Sequence, residues 1–159
     1  MTALPNFLGK KVLDSIDDVY LKRCLHLPPE ATSDLASTNA IIIFYPGIGM
    51  APRHYNETAF AIQKALSETY GLQTYIVVAK FFNNLGYLPN EPVRRLTSIL
   101  EELARRGVPP RLPIGVVGHS GGAFLAYDTA LTKSQAFVQL GSTLNSKGKH
   151  GTGPMHGSL

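Results

Sequence analysis

The sequence predicts an α/β fold, a mainly parallel sheet flanked by helices. Three observations carry that prediction. Short continuous runs of β-branched and aromatic residues recur, as strands buried on both faces require. Amphipathic helical stretches lie between them. The two kinds alternate along the chain in βα order. At 159 residues the chain has the length of one domain, enough to bury roughly 70% of its unfolded surface.

The first segment is ambiguous. Residues 11–15 and 19–27 flank Ile16-Asp17-Asp18 and are compatible with a strand pair around a short turn. An amphipathic helix through residues 12–25 is the competing reading, and Pro28-Pro29 ends either one. Residues 30–39 are rich in Ser, Thr and Ala and read as a loop. Ala40-Ile41-Ile42-Ile43-Phe44-Tyr45 is a doubly buried strand, broken by Pro46-Gly47-Ile48-Gly49. A helix over Asn56–Tyr70 puts Ala59, Ile62 and Leu66 on one stripe, with Gly71 placed to end it.

Residues 73–79 (QTYIVVA) form the next strand, and residues 80–90 a long loop carrying Phe81, Phe82 and Tyr87. Those aromatics read as core packing, with an apolar pocket lining as the other option. Pro92 suits a first helical turn. Val93, Leu96, Leu100 and Leu103 continue the stripe until Gly107 and Pro109-Pro110 stop it. Residues 112–118 (LPIGVVG) are a third strand, residues 121–132 a helix, and Ala136–Leu140 a fourth strand. From residue 141 the chain turns rich in Gly, Ser, Lys and His, so a loosely held tail is expected over 143–159 after a domain over 1–142.

Composition narrows the function. The 15 basic and 11 acidic residues leave +4, a modest and scattered surplus. Arg94, Arg95, Arg105 and Arg106 read as a solvated helix face, so no nucleic-acid partner is expected. Cys24 is the only cysteine, which excludes an intramolecular disulfide, and it reads as a half-buried strand residue. The longest apolar runs, residues 40–45 and 75–79, are far too short to span a bilayer. Residues 1–11 lack a secretory signal pattern, which leaves the cytoplasm as the default compartment and an organelle open. No metal or cofactor is expected.

The chemistry concentrates at Gly118-His119-Ser120-Gly121-Gly122, between a predicted strand and a predicted helix. That context is the one a nucleophile elbow requires. A serine on so tight a turn needs small residues two positions either side, and Gly118 and Gly122 supply them. The helix N-terminus would aim N–H groups at a developing oxyanion, one of them from Gly121. The glycine turn after the first central strand could present a second, from Ile48. The plainer reading of each glycine set is tight turns and close packing alone.

The segments IIIFYPGIG, QTYIVVA and LPIGVVGHSGGAFLAYDTA resemble the third, fourth and fifth strands of the α/β-hydrolase superfamily, with their connections. The resemblance covers residues 12–142 and is strongest at 114–127. It implies a nucleophile at Ser120, an oxyanion hole from Gly121 and Ile48, and acyl transfer to water through an acyl-enzyme. GHSGGA resembles esterases, lipases and thioesterases alike, so the partner implied is a small-molecule ester or acyl substrate.

The chain departs from the family order of Ser, then Asp or Glu, then His. After Ser120 the only acid is Asp128, eight positions on inside a predicted helix, where a surface position is expected. His150 and His156 follow in the tail. His119 should point away from its neighbour, His54 reads as an exposed loop residue, and His26 has no motif. The expected architecture is therefore an α/β-hydrolase-type sheet lacking the C-terminal strands, with self-association through an uncovered edge. A non-catalytic binding module for an acyl or other apolar ligand, and an acyltransferase, are the competing functions.

Overall fold

A computed structural model describes residues 10–29, 34–88, 90–133 and 136–140. The tail expected over 143–159 lies outside them. Helix α1 (Lys10–Leu21) leads into a three-residue strand, β1 (Leu25–Leu27). Then follow β2 (Ala40–Tyr45), α2 (Asn56–Tyr70), β3 (Thr74–Val78), α3 (Glu91–Arg105), β4 (Ile114–His119), α4 (Gly122–Lys133) and β5 (Ala136–Leu140). The strands form one five-stranded sheet in the order β1-β3-β2-β4-β5. Four run parallel and β1 runs antiparallel at the edge. This mixed α/β sheet, flanked by helices, is consistent with an α/β-hydrolase-like fold.

The strand residues alternate between two cores. Ile41, Ile43, Tyr45, Tyr75, Val77 and Val116 pack on one face with residues of α1, α3 and α4, such as Leu21, Leu96, Ile99 and Ala126. Phe44, Ile76, Val78 and Val117 pack on the other with Tyr55 and with Ala59 of α2. Burial on both sides explains why these strands read as unbroken apolar runs. Gly71 ends α2 as expected, in the left-handed region at φ +67°, and its N–H donates to the Ser67 carbonyl at 2.9 Å. Phe81 is buried against Tyr45 at 5.2 Å between ring centres, and Phe82 lies against Tyr20, whereas Tyr87 is exposed.

Two expectations are corrected. The strand pair around Ile16-Asp17-Asp18 is not formed; that stretch lies within α1, and only Leu25–Leu27 is strand. Arg95 is not solvated. It is fully buried, its guanidinium donating to the Asp17 carbonyl at 2.6 Å and carboxylate at 3.1 Å, with Glu91 3.6 Å away. Arg94 reaches the same Asp17 carboxylate at 2.7 Å. One buried acid thus ties α1 to α3.

The order of the strands creates a crevice. From β2 the chain passes through α2, on one face, to β3 on one side. From β4 it passes through α4, on the opposite face, to β5 on the other side. The loops leaving β2 and β4 therefore diverge above adjacent strand ends, where Tyr45 pairs with Gly118. Such a reversal point is where open α/β sheets bind ligands.

Candidate active site

Ser120 occupies the turn between β4 and α4 with φ +50°. A non-glycine residue in the left-handed region is uncommon and costs about 1–3 kcal/mol. The surroundings hold it there. Its N–H donates to the Leu140 carbonyl at 3.0 Å, and its carbonyl accepts from Ala123 N–H at 3.0 Å as α4 begins.

The flanking glycines are demanded by contact distance. A Cβ on Gly118 would lie 2.5 Å from Ala123 Cα, and one on Gly122 would lie 2.2 Å from the Pro46 carbonyl oxygen. Both neighbours are backbone and cannot yield by turning a rotamer. A Cβ on Gly121 would meet the Ile48 side chain at 2.7 Å, so Ile48 lies directly over the residue after the serine. Ser120, Gly121 and Ile48 are thereby gathered above the paired ends of β2 and β4.

Ile48 belongs to a tight turn in which Met50 N–H donates to the Gly47 carbonyl at 2.9 Å, with Gly49 at φ +83°. Gly49 N–H in turn donates to the Asn84 carbonyl at 2.8 Å. Gly47 N–H donates to the Tyr55 hydroxyl at 2.8 Å. Neither Ile48 N–H nor Gly121 N–H is engaged by a described residue.

His119 is held by Tyr55. Its Nδ1 lies 2.9 Å from the Tyr55 hydroxyl. That phenol already accepts from Gly47 and has one proton to give. Donation to Nδ1 satisfies both groups and leaves the imidazole proton on Nε2. Burial pushes the Tyr55 phenol up from its ordinary value, which keeps that proton in place. Tyr55 was invisible as a site residue in sequence, since nothing local shows that its hydroxyl meets a glycine eight positions back and a histidine 64 positions on.

The remaining candidates separate from the serine. His54 is exposed on a short 3-10 turn, Pro52–Tyr55. His26 sits on β1 against Tyr75, with Nε2 buried and without a hydrogen-bond partner among the described residues. Asp128 falls within α4. Cys24 is buried rather than half-buried, just before β1, and burial raises its thiol pKa, which disfavours a nucleophilic thiolate. Ser120 Oγ has no hydrogen-bonding base among the described residues. No cluster of three or more His, Cys, Asp or Glu able to hold a metal ion occurs among them. No helix among them is long and apolar enough to cross a membrane.

No family model matches the chain, and no curated protein matches it. Among solved structures it is similar to ESTFA. That crystal structure, of an FE-lacking apo form, shares 15% identity at a TM-score of 0.49, over 94% of this chain and 57% of the other. The chain thus spans little more than half the length of that protein.

Proposed function

We propose that the protein is a serine hydrolase of the α/β-hydrolase type, acting on a carboxylic ester or thioester through an acyl-enzyme at Ser120. The observation that carries the proposal is the positive φ of Ser120 on a turn packed so closely that Gly118 and Gly122 admit no side chain. Strain of this kind persists where the surroundings over-determine it, and it lifts the serine above the strand end, where an acyl group can reach it. The N–H groups of Gly121 and Ile48 are the proposed oxyanion donors. They are unengaged by described residues, they lie at or beside the start of α4, and their residues are in contact.

No base is hydrogen-bonded to Ser120 Oγ among the described residues, and His150 and His156, which follow the serine in sequence, lie outside them. Where members of a triad are lost, residual acceleration is on the order of 10³–10⁴ over water. A second reading has support of its own: His119 is held by Tyr55 and Ser120 Oγ has no partner base, as in a module that binds an acyl ligand without turnover.

A fluorophosphonate probe separates the two. Covalent labelling that disappears in Ser120→Ala, together with slow hydrolysis of short-chain p-nitrophenyl esters, supports the hydrolase. Labelling that persists in Ser120→Ala refutes it. Absent labelling with fatty-acyl binding that survives Ser120→Ala favours the binding module.

A further inference from the structure

A cavity of about 300 Å³ opens at the same rim of the sheet, beside the crevice. The antiparallel run of β1 brings its first residue, Leu25, level with Val78 at the end of β3. The chain just before β1 therefore meets the chain just after β3, and Lys80 N–H donates to Cys24 Sγ at 3.3 Å. The turn at Pro52-Arg53, leaving β2, closes the third side.

Three cations line this cavity, Arg23, Arg53 and Lys80, and no acidic side chain among the described residues does. Nor do they form an ion pair with any described residue. The ion pairs of the described residues use Lys64, Arg94, Arg95, Arg105 and Arg106. Arg23 lies over the Tyr20 ring at 5.8 Å, and the Lys80 ammonium donates to the neutral Asn84 side chain. We propose that this cavity binds an anionic oxygen group, a phosphate or a carboxylate.

Charges of one sign gathered in a recess repel one another and lose water. Consistent with that, burial lowers the Lys80 pKa from its ordinary value, and the nearby charges of Arg23 and Arg53 lower it further. An anion offsets the mutual repulsion, and two guanidinium groups offer it planar, multi-pronged donors. The cavity lies between the ends of β1 and β3 and Ser120 follows β4, with β2 between, so the two stand two to three strand spacings apart, about 10–15 Å. Taken with the Ser120 proposal, on which this clause rests, the substrate is an ester whose anionic group lies about that far from the reacting carbonyl.

Isothermal titration calorimetry of the chain at low ionic strength, with inorganic phosphate and separately with glutarate, tests the site. One-site binding of either is expected, weakened about tenfold or more by Arg53→Gln and by Arg23→Gln, both exposed positions, and unchanged by Lys64→Gln on α2. Binding of phosphate alone assigns a phosphate site, and of glutarate alone a carboxylate site. Silence with both anions, or equal weakening by Lys64→Gln, overturns the proposal. Calorimetry reads binding without turnover, so its failure leaves the Ser120 proposal standing, and failed labelling leaves this one standing.

Discussion

Ser120 stores conformational energy that a glycine in its place would not. A glycine reaches φ +50° without the Cβ clash, at the cost of a looser unfolded chain. Ser120→Gly is therefore expected to raise stability by about 0.5–1 kcal/mol while removing any reaction at the hydroxyl. Equilibrium urea unfolding beside Ser120→Ala, which keeps the strain, measures the difference. Equal stability of the two variants would mean that the turn is relaxed. The glycine pattern around the serine was legible in sequence because it sits between a strand and a helix, although the atom that Gly122 must clear, the Pro46 carbonyl oxygen, belongs to the loop leaving β2. The partner of His119 was not, because Tyr55 reaches it only after β2 and β4 have paired.

Among the elements, α1 shows why sequence periodicity misleads. Its inward face carries Ile16, Tyr20 and Leu21 but also the buried Asp17, while two valines, Val12 and Val19, are exposed. The acid is tolerated inside because Arg94 and Arg95 meet it from α3, 77 and 78 residues away, and no local pattern announces that. The same distance in sequence hid the burial of Arg95. Asp17→Ala should be costly, about 3 kcal/mol, since it removes one of the two carboxylates facing the fully buried Arg95 guanidinium and leaves it Glu91 and the residue-17 carbonyl. Lys64→Ala, which removes an exposed pair at 3.8 Å, should cost no more than about 0.5 kcal/mol. Thermal and chemical melts of the two variants give the comparison, and similar costs would refute a structural role for the buried network. Gln63 works by similar logic in α2. It is a polar residue on the stripe of Ala59, Ile62 and Leu66, and its amide donates to the carbonyls of Leu27, Pro28 and Thr74, fastening the short β1 to β3.

At the scale of the molecule, charge and burial set the response to acid. Burial disfavours the protonated His26 ring, and the positive charge of Arg106 adds to the effect, so its folded pKa lies below the ordinary 6.5. Glu102 acts weakly in the opposite direction. As pH falls through about 6.5 the unfolded chain takes up a proton that the folded chain refuses, and stability declines until the folded pKa is reached. Glu102 loses its own contribution only in a lower window. Arg106 holds its carboxyl below the ordinary 4.5, so that stability is present above 4.5 and fades as pH drops through the folded value. Urea midpoints should fall between pH 7.5 and 5.5, and His26→Gln should flatten that fall; an unchanged slope in the variant would remove His26 as the cause. The βα alternation and the central strands were readable at this scale because each strand is buried on both faces. The antiparallel edge and the cationic recess were not, since both arise from where β1 comes to rest.

The hydrogen bond from Ser120 N–H to the Leu140 carbonyl joins the elbow to the outermost strand of the described sheet. The serine's posture is in this sense borrowed from the sheet margin. If β5 drifts outward, the N–H loses its acceptor and the backbone relaxes toward a commoner φ, lowering the hydroxyl without any change at the residue itself. Order along that margin and readiness of the serine are then a single mechanical quantity, gauged through one bond.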